Sequence, residues 1–269
     1  MNDILRFKIA IQTIKNYKKT TIILSLLFMI IAAGYCGMFP AFEESILEMM
    51  GSDFYETFTF FAHADQMHTY VGFLTLELYN IFWLLIMAIV FGFIAASIIS
   101  AEIEGKTIDL LMSNPVSRKQ IVVEKFVGLF PMFLIVNFAT MFAVIGITVG
   151  INESINYSYL FLVHVLSIIY FFAVLSLGIF ISVIMDEKMK SSIIMIAILI
   201  GMFVLNSLSL TASDFEWFGY FSFLHYFDTY NVLQFGEIDF VGVSVLIVVT
   251  IVCLIVSMFY FEYRDINVS

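Results

Sequence analysis

Charged side chains are scarce in this 269-residue sequence: Asp, Glu, Lys and Arg make up 13% of it, about half the share found in soluble domains. Its three prolines are too few for a proline-rich linker, and its two cysteines are too few for a disulfide framework or a four-cysteine zinc site. Apolar and aromatic residues instead make up 62% of the chain, and its mean hydropathy is +1.02. Because so few charges cannot cover a water-exposed surface, the composition indicates an integral membrane protein.

The sequence also lacks the short motifs that mark common enzymes and nucleotide-binding proteins. It contains no H-E-x-x-H, no G-x-S-x-G and no phosphate-binding G-x-x-x-x-G-K-[ST]. His164 is the clearest ionisable residue within the apolar stretches, and a single histidine is more typical of a hydrogen-bonded packing residue than of a proton relay. We therefore predict a non-catalytic protein without a charged ion pathway, so any transport must draw its energy from elsewhere.

One segment places His63, Asp65, Met67 and His68 close together in sequence. Imidazole and thioether groups can bind copper. With fifteen methionines in the chain, however, such proximity is expected by chance. We predict no metal site.

Six apolar stretches are long enough to cross a hydrocarbon core of ~30 Å, which requires about 20 helical residues. They cover residues 20–39, 78–101, 121–150, 159–185, 191–211 and 240–261. Eleven of the twelve lysines and arginines lie before the first stretch, after the last, or in the second-to-third and fourth-to-fifth connections, and Lys125, which continues the second-to-third group, is the fifth residue of the third stretch. The positive-inside rule makes these segments cytoplasmic. The sequence thus predicts an all-α, polytopic protein of the plasma membrane, with one domain over residues 1–269 and both termini in the cytoplasm.

The arm before the first stretch has a helical pattern of its own, in which apolar residues recur at three- and four-residue steps. The apolar stripe contains Ile4, Phe7, Ile11 and Ile14, and a second, basic stripe contains Lys8 and Lys15. This pattern predicts an amphipathic helix in the membrane interface, with its lysines toward lipid phosphates. The alternative is a basic flank that only sets the orientation.

The cytoplasmic connection between the second and third stretches carries the most informative pattern. The second helix is predicted to end at Gly105, and a short helix with one apolar side follows it. Asn114 and Pro115 turn the chain, because the residue before a proline leaves the α region, and Ser117 caps the next helix. A short helix held at the cytoplasmic face is suited to docking into a groove on a soluble partner.

This connection resembles a signature of the type-2 permease family of ATP-binding-cassette (ABC) transporters, which reads roughly E-x-E-x-G-T-φ-D-L-L-φ-S-x-P-V-S-R. The matching residues are Glu102, Glu104, Gly105, Thr107, Asp109, Leu110, Leu111, Ser113, Pro115, Val116, Ser117 and Arg118, with Lys125 as a later base. Lys106 is an insertion relative to that pattern. The closing residues around Arg264 are similar to the family's F-x-R-R-D-φ ending, so the resemblance covers the whole chain.

The resemblance implies a permease that pairs as a homodimer or heterodimer and binds two copies of a separate P-loop ATPase. That ATPase would hold the ATP and magnesium, and this chain would hold no cofactor. The segment 102–118, including Met112, would contain the coupling helix, and the N-terminal arm would be an interfacial connecting helix. Gly92, Ala96 and Ser100, spaced four residues apart, would lie at the dimer contact or translocation path; packing inside one subunit is the alternative.

The function implied is the membrane subunit of an ATP-driven exporter whose cargo is hydrophobic or amphipathic, such as a peptide, drug or lipid. A membrane scaffold or sensor partner without transport of its own is the alternative. An intramembrane enzyme is disfavoured because catalytic groups are missing, and no nucleic-acid partner is expected.

Overall fold

The computed structural model describes residues 7–49, 63–108, 116–211 and 213–265, and most of them are helical. Six helices are long and apolar enough to cross a membrane, which confirms the prediction of an all-α polytopic protein. We number them span one to span six: Lys8–Glu43, Tyr70–Glu104, Arg118–Gly150, Tyr157–Ile184, Lys188–Thr211 and Phe240–Tyr263. Each of the six predicted stretches overlaps one of these spans.

Both described ends of the chain lie on one side of the bundle, together with the connections between spans two and three and between spans four and five. A hydrogen bond of 3.1 Å from Arg118, at the start of span three, to the carbonyl of Phe261, at the end of span six, joins two of these segments. We call this the basic side, because the described lysines and arginines lie toward it. The opposite, acidic side carries the short helices Ala64–Gln66, Ser213–Phe221, Phe223–Tyr226 and Thr229–Phe235.

Span one belongs to a single 42-residue helix, Lys8–Met49. At 1.5 Å per residue this helix is about 63 Å long, which exceeds the thickness of a hydrocarbon core. A separate interfacial helix is predicted for the arm, but in the structure the arm continues into the span without a break. The physical reason is that neither glycine nor proline interrupts the chain between Lys8 and Gly34.

The arm turns its predicted stripes outward and packs on a different face. Phe7, Ile11 and Ile14 of the apolar stripe are exposed, as are Lys8 and Lys15 of the basic stripe, whereas Ile4 lies outside the described residues. The buried face contains Ile9, Ala10 and Thr13. It packs on span three, where a Cβ added to Gly128 would lie 2.7 Å from the Cβ of Thr13.

Spans two and four form the core of the bundle, and spans five and six lie at its edge. Over the most apolar 18 residues, 61% of spans two and four is buried, against 11% of span five and 22% of span six. Spans two and four approach closely because Gly178 has no side chain: a Cβ there would lie 2.7 Å from the Cβ of Ala95 and 3.1 Å from the carbonyl oxygen of Gly92. The apolar outer faces of spans five and six are left for lipid or another membrane chain.

A buried hydrogen-bond network joins spans two, three and four. The ring of His164 bonds through Nδ1 to Asn137 Oδ1 (2.8 Å) and through Nε2 to the Tyr79 hydroxyl (3.1 Å). Asn137 also donates to the carbonyl of His164 (2.9 Å), and nearby Trp83 donates to the hydroxyl of Ser167 (2.9 Å). His164 is fully buried and both ring nitrogens are satisfied, which confirms it as a packing residue.

Span two is not one regular α-helix, although its sequence predicts one over 78–101. Residues Leu74–Met87 form a π-helix, in which each backbone hydrogen bond spans one residue more than in an α-helix. After the regular stretch Ala88–Ser97, the helix breaks at Ile98 and Ile99 and resumes as Ser100–Glu104. Neither residue at the break is a glycine or a proline, so the local sequence gives no signal for it.

Candidate coupling site

The connection between spans two and three is the candidate coupling site, and the structure describes its two ends. Span two ends at Glu104, directly before Gly105, and Ser117 caps span three by accepting the N–H of Gln120 (3.2 Å). Both the helix end and the cap are therefore confirmed. The predicted site residues that lie outside the described part of the chain are Asp109, Leu110, Leu111, Met112 and Pro115.

The turn after span two is closed by the residues around the inserted lysine. Lys106 adopts a left-handed conformation with a φ of 53°, which is the usual way for a chain to leave an α-helix. The N–H of Thr107 then donates to the carbonyl of Glu102 (2.9 Å), and Ile108 is fully buried. The inserted Lys106 thus occupies the position at which the chain turns back. The end of the connection next to span two is held in place by the Thr107 hydrogen bond and by the burial of Ile108.

A buried ion pair joins the end of span two to span three. Lys125 Nζ donates to Glu102 Oε1, and the lysine side chain is only 8% exposed. An ammonium group with so little contact with water requires a partner charge. Glu102 and Lys125, which match the family signature 23 residues apart, are thus one structural unit.

Glu104 joins the same end of span two to span five. Its Oε2 atom accepts the backbone N–H of Lys188 (2.8 Å), the first residue of that span. The first N–H groups of a helix have no partner within the helix, and a carboxylate satisfies both their hydrogen bonding and the positive end of the helix dipole. The candidate coupling segment is therefore in direct contact with span five.

Arg118 joins the far end of the segment to span six. Its Nη1 atom donates to the carbonyls of Phe261 and Arg264, and its guanidinium lies 5.7 Å from the centre of the Phe261 ring. Arg264 in turn donates to the carbonyl of Val183 and to Asp186, at the end of span four. The two arginines that match the family signature thus hold the basic ends of spans three, four and six together.

Glu124 is a site residue that the sequence reasoning missed. Its side chain is 2% exposed, and Oε2 accepts the N–H groups of Ile9 (2.8 Å) and Ala10 (3.1 Å) at the start of span one. Gln120 donates to the other carboxylate oxygen (2.6 Å). A carboxylate among the apolar residues of span three was the available signal, but its backbone partners in span one lie more than 100 residues away.

The stripe of small residues on span two packs inside the subunit. Ala96 and Ser100 are fully buried, and a Cβ added to Gly92 would lie 2.9 Å from Met195 Cε and 3.0 Å from Leu199 Cδ1 of span five. A buried residue cannot contact a second copy in this conformation. Gly92, Ala96 and Ser100 thus pack within one chain in this structure, as the alternative interpretation expects, and their place at a dimer contact or translocation path stays a prediction.

Comparison with known families agrees with this architecture. A sequence profile described as an ABC-2 family transporter protein matches residues 13–266, nearly the whole chain. The chain belongs to the ABC-2 transporter family. No curated protein sequence matches it at a significant level. ABC-2 permeases are membrane components, generally non-catalytic, that work with a partner ATP-binding subunit.

The permease has a partly polar cavity near its acidic side, between spans two and five and the short helices. Its volume is about 240 Å³. The polar lining residues are His63, Asn80, Asn206, Ser207, His225, Asp228 and Thr229. Leu84, Phe203 and Phe227 are among its apolar lining residues, so the cavity offers both hydrogen-bonding groups and apolar surface.

A histidine–aspartate pair ties two segments together beside this cavity. His63 Nε2 lies 3.0 Å from Asp228 Oδ2, and the imidazole ring stacks on Tyr230 at a centroid distance of 4.4 Å. Asp228 also caps the helix Thr229–Phe235 by accepting the N–H of Asn231 (3.1 Å). The segment before span two is thus held to the segment before span six.

The strength of the interaction between His63 and Asp228 depends on pH. The hydrogen bond to Asp228 raises the pKa of His63 above its ordinary value of 6.5, against the opposing effect of burial. Burial acts to raise the pKa of Asp228, but hydrogen bonds from His63 and from the Asn231 N–H leave it below its ordinary value of 3.8. The contribution of His63 to the free energy of unfolding is therefore complete below pH 6.5 and is lost as the pH rises through the raised pKa of His63. The contribution of Asp228 to that free energy is lost only in strong acid.

We expect His63→Gln to destabilise the permease more at about pH 5.5 than at about pH 8.5. Because both side chains are partly exposed to solvent, the effect at the lower pH is at most about 1 kcal/mol. Thermal unfolding of the wild type and the variant at both pH values measures it, and His68→Gln in the same segment is the control. A loss of stability in His63→Gln that is equal at the two pH values would show that protonation of His63 does not strengthen its contact with Asp228.

Proposed function

We propose that this permease forms the translocation path of an ATP-driven exporter. In this proposal it pairs with a second copy or a homologue and binds two copies of a separate P-loop ATPase at its basic side. The observation that carries the proposal is the connectivity of the coupling segment. Glu102, Glu104 and Arg118 bond to spans three, five and six, so a displacement of the segment by a partner reaches most of the bundle.

The basic side is the cytoplasmic side in this proposal, and the membrane is the plasma membrane. The clustering of lysine and arginine at that side supports this orientation. ATP and magnesium would be bound by the partner subunit, since this sequence has no P-loop. Of the proposed coupling residues, Leu111 and Met112 would lie on the apolar side of the docking helix, Asp109 and Leu110 would belong to the same helix, and Pro115 would turn the chain after it.

The cargo in this proposal is hydrophobic or amphipathic, such as a peptide, drug or lipid. Two features support that class. The outer faces of spans five and six are apolar and exposed, with residues such as Ile193, Val204 and Val248 about half exposed. The cavity near the acidic side combines amide and carboxylate groups with Phe203 and Phe227, as an amphipathic molecule requires.

Glu104→Lys is expected to uncouple the complex, because it removes the acceptor for the Lys188 N–H and places a cation at the positive end of span five. The permease is co-purified in mild detergent with the products of its neighbouring genes, and ATP hydrolysis by any recovered P-loop ATPase is measured. We expect co-purified wild type to show permease-dependent hydrolysis, and Glu104→Lys to reduce that dependence roughly fivefold or more. Deletion of 110–112 should abolish recovery of the ATPase.

Glu187→Lys is the matched control, because it also places a cation at the start of span five but removes no side-chain acceptor of that span's N–H groups; among the described residues the exposed Glu187 carboxylate pairs with the exposed Lys190. It should behave as wild type. Permease-dependent hydrolysis that is unchanged in Glu104→Lys would contradict the coupling role. Recovery of the wild-type chain without any ATPase would instead favour the alternative function, a membrane scaffold or sensor.

A further inference from the structure

Two backbone N–H groups lose their helical partners where span two breaks. In a regular α-helix the N–H of Ile99 would donate to the carbonyl of Ala95, and the N–H of Ser100 to the carbonyl of Ala96. In the structure Ile98 instead donates to Ala95, over 3.3 Å, as in a tighter turn. The break lies between apolar spans, where unpaired backbone groups cost several kcal/mol each.

One hydroxyl group of span four satisfies both of these N–H groups. Ser182 Oγ accepts from Ile99 over 2.9 Å and from Ser100 over 3.0 Å. A hydroxyl oxygen has two lone pairs, so this arrangement uses its full accepting capacity. The close approach at Gly178, one turn earlier on span four, brings Ser182 within reach of span two.

Hydroxyl groups also bond to backbone carbonyls beside the break, including that of Ala96, which loses the N–H of Ser100. The carbonyl of Ala96 accepts from Ser100 Oγ (3.0 Å) and from Ser191 Oγ of span five. The carbonyl of Phe93 accepts from Ser192 Oγ (3.3 Å). Ser100, Ser182, Ser191 and Ser192 are all fully buried, so the groups around the break bond to side chains rather than to water.

We propose that this set of serines is a hinge in span two and that Ser182 is its main positioning residue. When span two straightens, the N–H groups of Ile99 and Ser100 return to Ala95 and Ala96. The Ser182 hydroxyl then remains satisfied by donating to a carbonyl of its own helix, as serines in membrane helices do. The bent and straight states therefore contain similar numbers of hydrogen bonds, and the helix Ser100–Glu104 can change direction at low cost.

The location of the hinge gives it its role. It lies directly before Glu102 and Glu104, whose carboxylates bond to spans three and five. On the proposed function, on which this inference rests, ATP-driven movement of the coupling segment turns Ser100–Glu104 about the hinge while Ala88–Ser97 stays packed on span four. A purely structural role for Ser182 would hold the same bend in every nucleotide state.

The test is hydrogen–deuterium exchange of the full-length permease in lipid nanodiscs, followed on peptides that cover residues 94–104. In Ser182→Ala the bent state has lost the described acceptor of both amides, so span two should straighten, the amides should return to Ala95 and Ala96, and exchange at Ile99 and Ser100 should be as slow as in wild type or slower. Ser176→Ala is the matched control, because Ser176 is equally buried on span four but donates to Ala173 of its own helix (2.9 Å). Exchange at Ile99 and Ser100 that is about tenfold or more faster in Ser182→Ala would show that the two amides have no straight-helix partners to return to, and would overturn the hinge.

A second arm compares the complex with its ATPase in the absence of nucleotide and after trapping with ATP and vanadate. We expect exchange at Ile99 and Ser100 to differ between the two states in wild type and in Ser176→Ala, and not in Ser182→Ala. If Ser182→Ala does not fold, Ser191→Ala replaces it, since it removes only one donor to Ala96. Identical exchange in both states of the wild type would show that the serines only hold a fixed bend in span two.

The two proposals fail in different ways. Failure to recover any ATPase with the wild-type chain contradicts the proposed function, and the first arm still decides the hinge. Recovery of an active ATPase with nucleotide-independent exchange at the break contradicts the hinge and leaves the proposed function standing.

Discussion

Lys125→Met is expected to lower the free energy of unfolding of the permease by about 3 kcal/mol. Lys125 is 8% exposed, and its ammonium pairs with Glu102, whose side chain is 22% exposed. Removing one member of a buried pair leaves the other charge without compensation, which costs about 3–5 kcal/mol. We expect the low end of that range, because Glu102 retains some contact with water. Its Oε2 atom is buried without a hydrogen-bond partner within the described chain, so little else is available to stabilise the charge.

Thermal unfolding in detergent, followed by the fraction of folded protein that survives each temperature, measures this effect. A loss of about 3 kcal/mol corresponds to an unfolding temperature lower by roughly 6–12 °C. The double variant with Glu102→Gln should recover part of the loss, since the uncompensated charge is removed. Lys190→Met, at an exposed pair with Glu187, should leave the unfolding temperature unchanged. An equal effect of the two lysine variants would contradict a special role for the buried pair.

Gly178→Ala is expected to destabilise the permease by up to about 3 kcal/mol, because it inserts a methyl group where spans two and four touch. The new Cβ would lie 2.7 Å from the Cβ of Ala95 and 3.1 Å from both the Ala96 nitrogen and the Gly92 oxygen. Two of these three atoms are backbone, which cannot rotate away, so the spans themselves must separate. Overpacking of a filled core typically costs about 1–3 kcal/mol.

The matched control is Gly201→Ala on span five, where an added Cβ meets no other atom within 4 Å. Alanine is the better helix former by about 1 kcal/mol, so this variant should be as stable as wild type or slightly more stable. The same thermal assay distinguishes them. Equal stability of the two alanine variants would show that spans two and four are not in close contact in the membrane.

The sequence was sufficient for the helices and for local caps. Long apolar stretches, the position of Gly105 and the serine at 117 depend on length and on nearest neighbours, and the structure agrees with all of them. The one-sided placement of lysine and arginine also gave the even number of spans, since an odd number would put cations on both sides.

The sequence was not sufficient for the contacts that connect the coupling segment to the bundle. Glu124 caps span one across 115 residues, and Ser182 bonds to Ile99 across 83. Hydropathy and periodicity describe one helix at a time, so they do not tell which helix lies beside which. For the same reason they could not decide whether Gly92, Ala96 and Ser100 face a partner or their own subunit.

The break in span two was missed for a second reason. A break is expected at proline or glycine, whose backbone weakens the helix locally. Here the residues at the break are Ile98 and Ile99, and its stabilisation comes from serines on two other spans. Each serine by itself looks like an ordinary small residue of a membrane helix, and only their meeting in space gives them a role.

Arg118, at the far end of the coupling segment, cannot form its hydrogen bonds to span six until the end of the chain has been translated. Arg118 bonds to the carbonyls of Phe261 and Arg264, which are translated 143 and 146 residues later. At about 5–20 residues per second, the ribosome needs roughly 7–30 seconds to supply them. During that interval the guanidinium has no such acceptors, and the C-terminal residues, once inserted, complete the far end of the segment. On the proposed function, the surface that binds the ATPase is therefore among the last parts of the nascent chain to be finished.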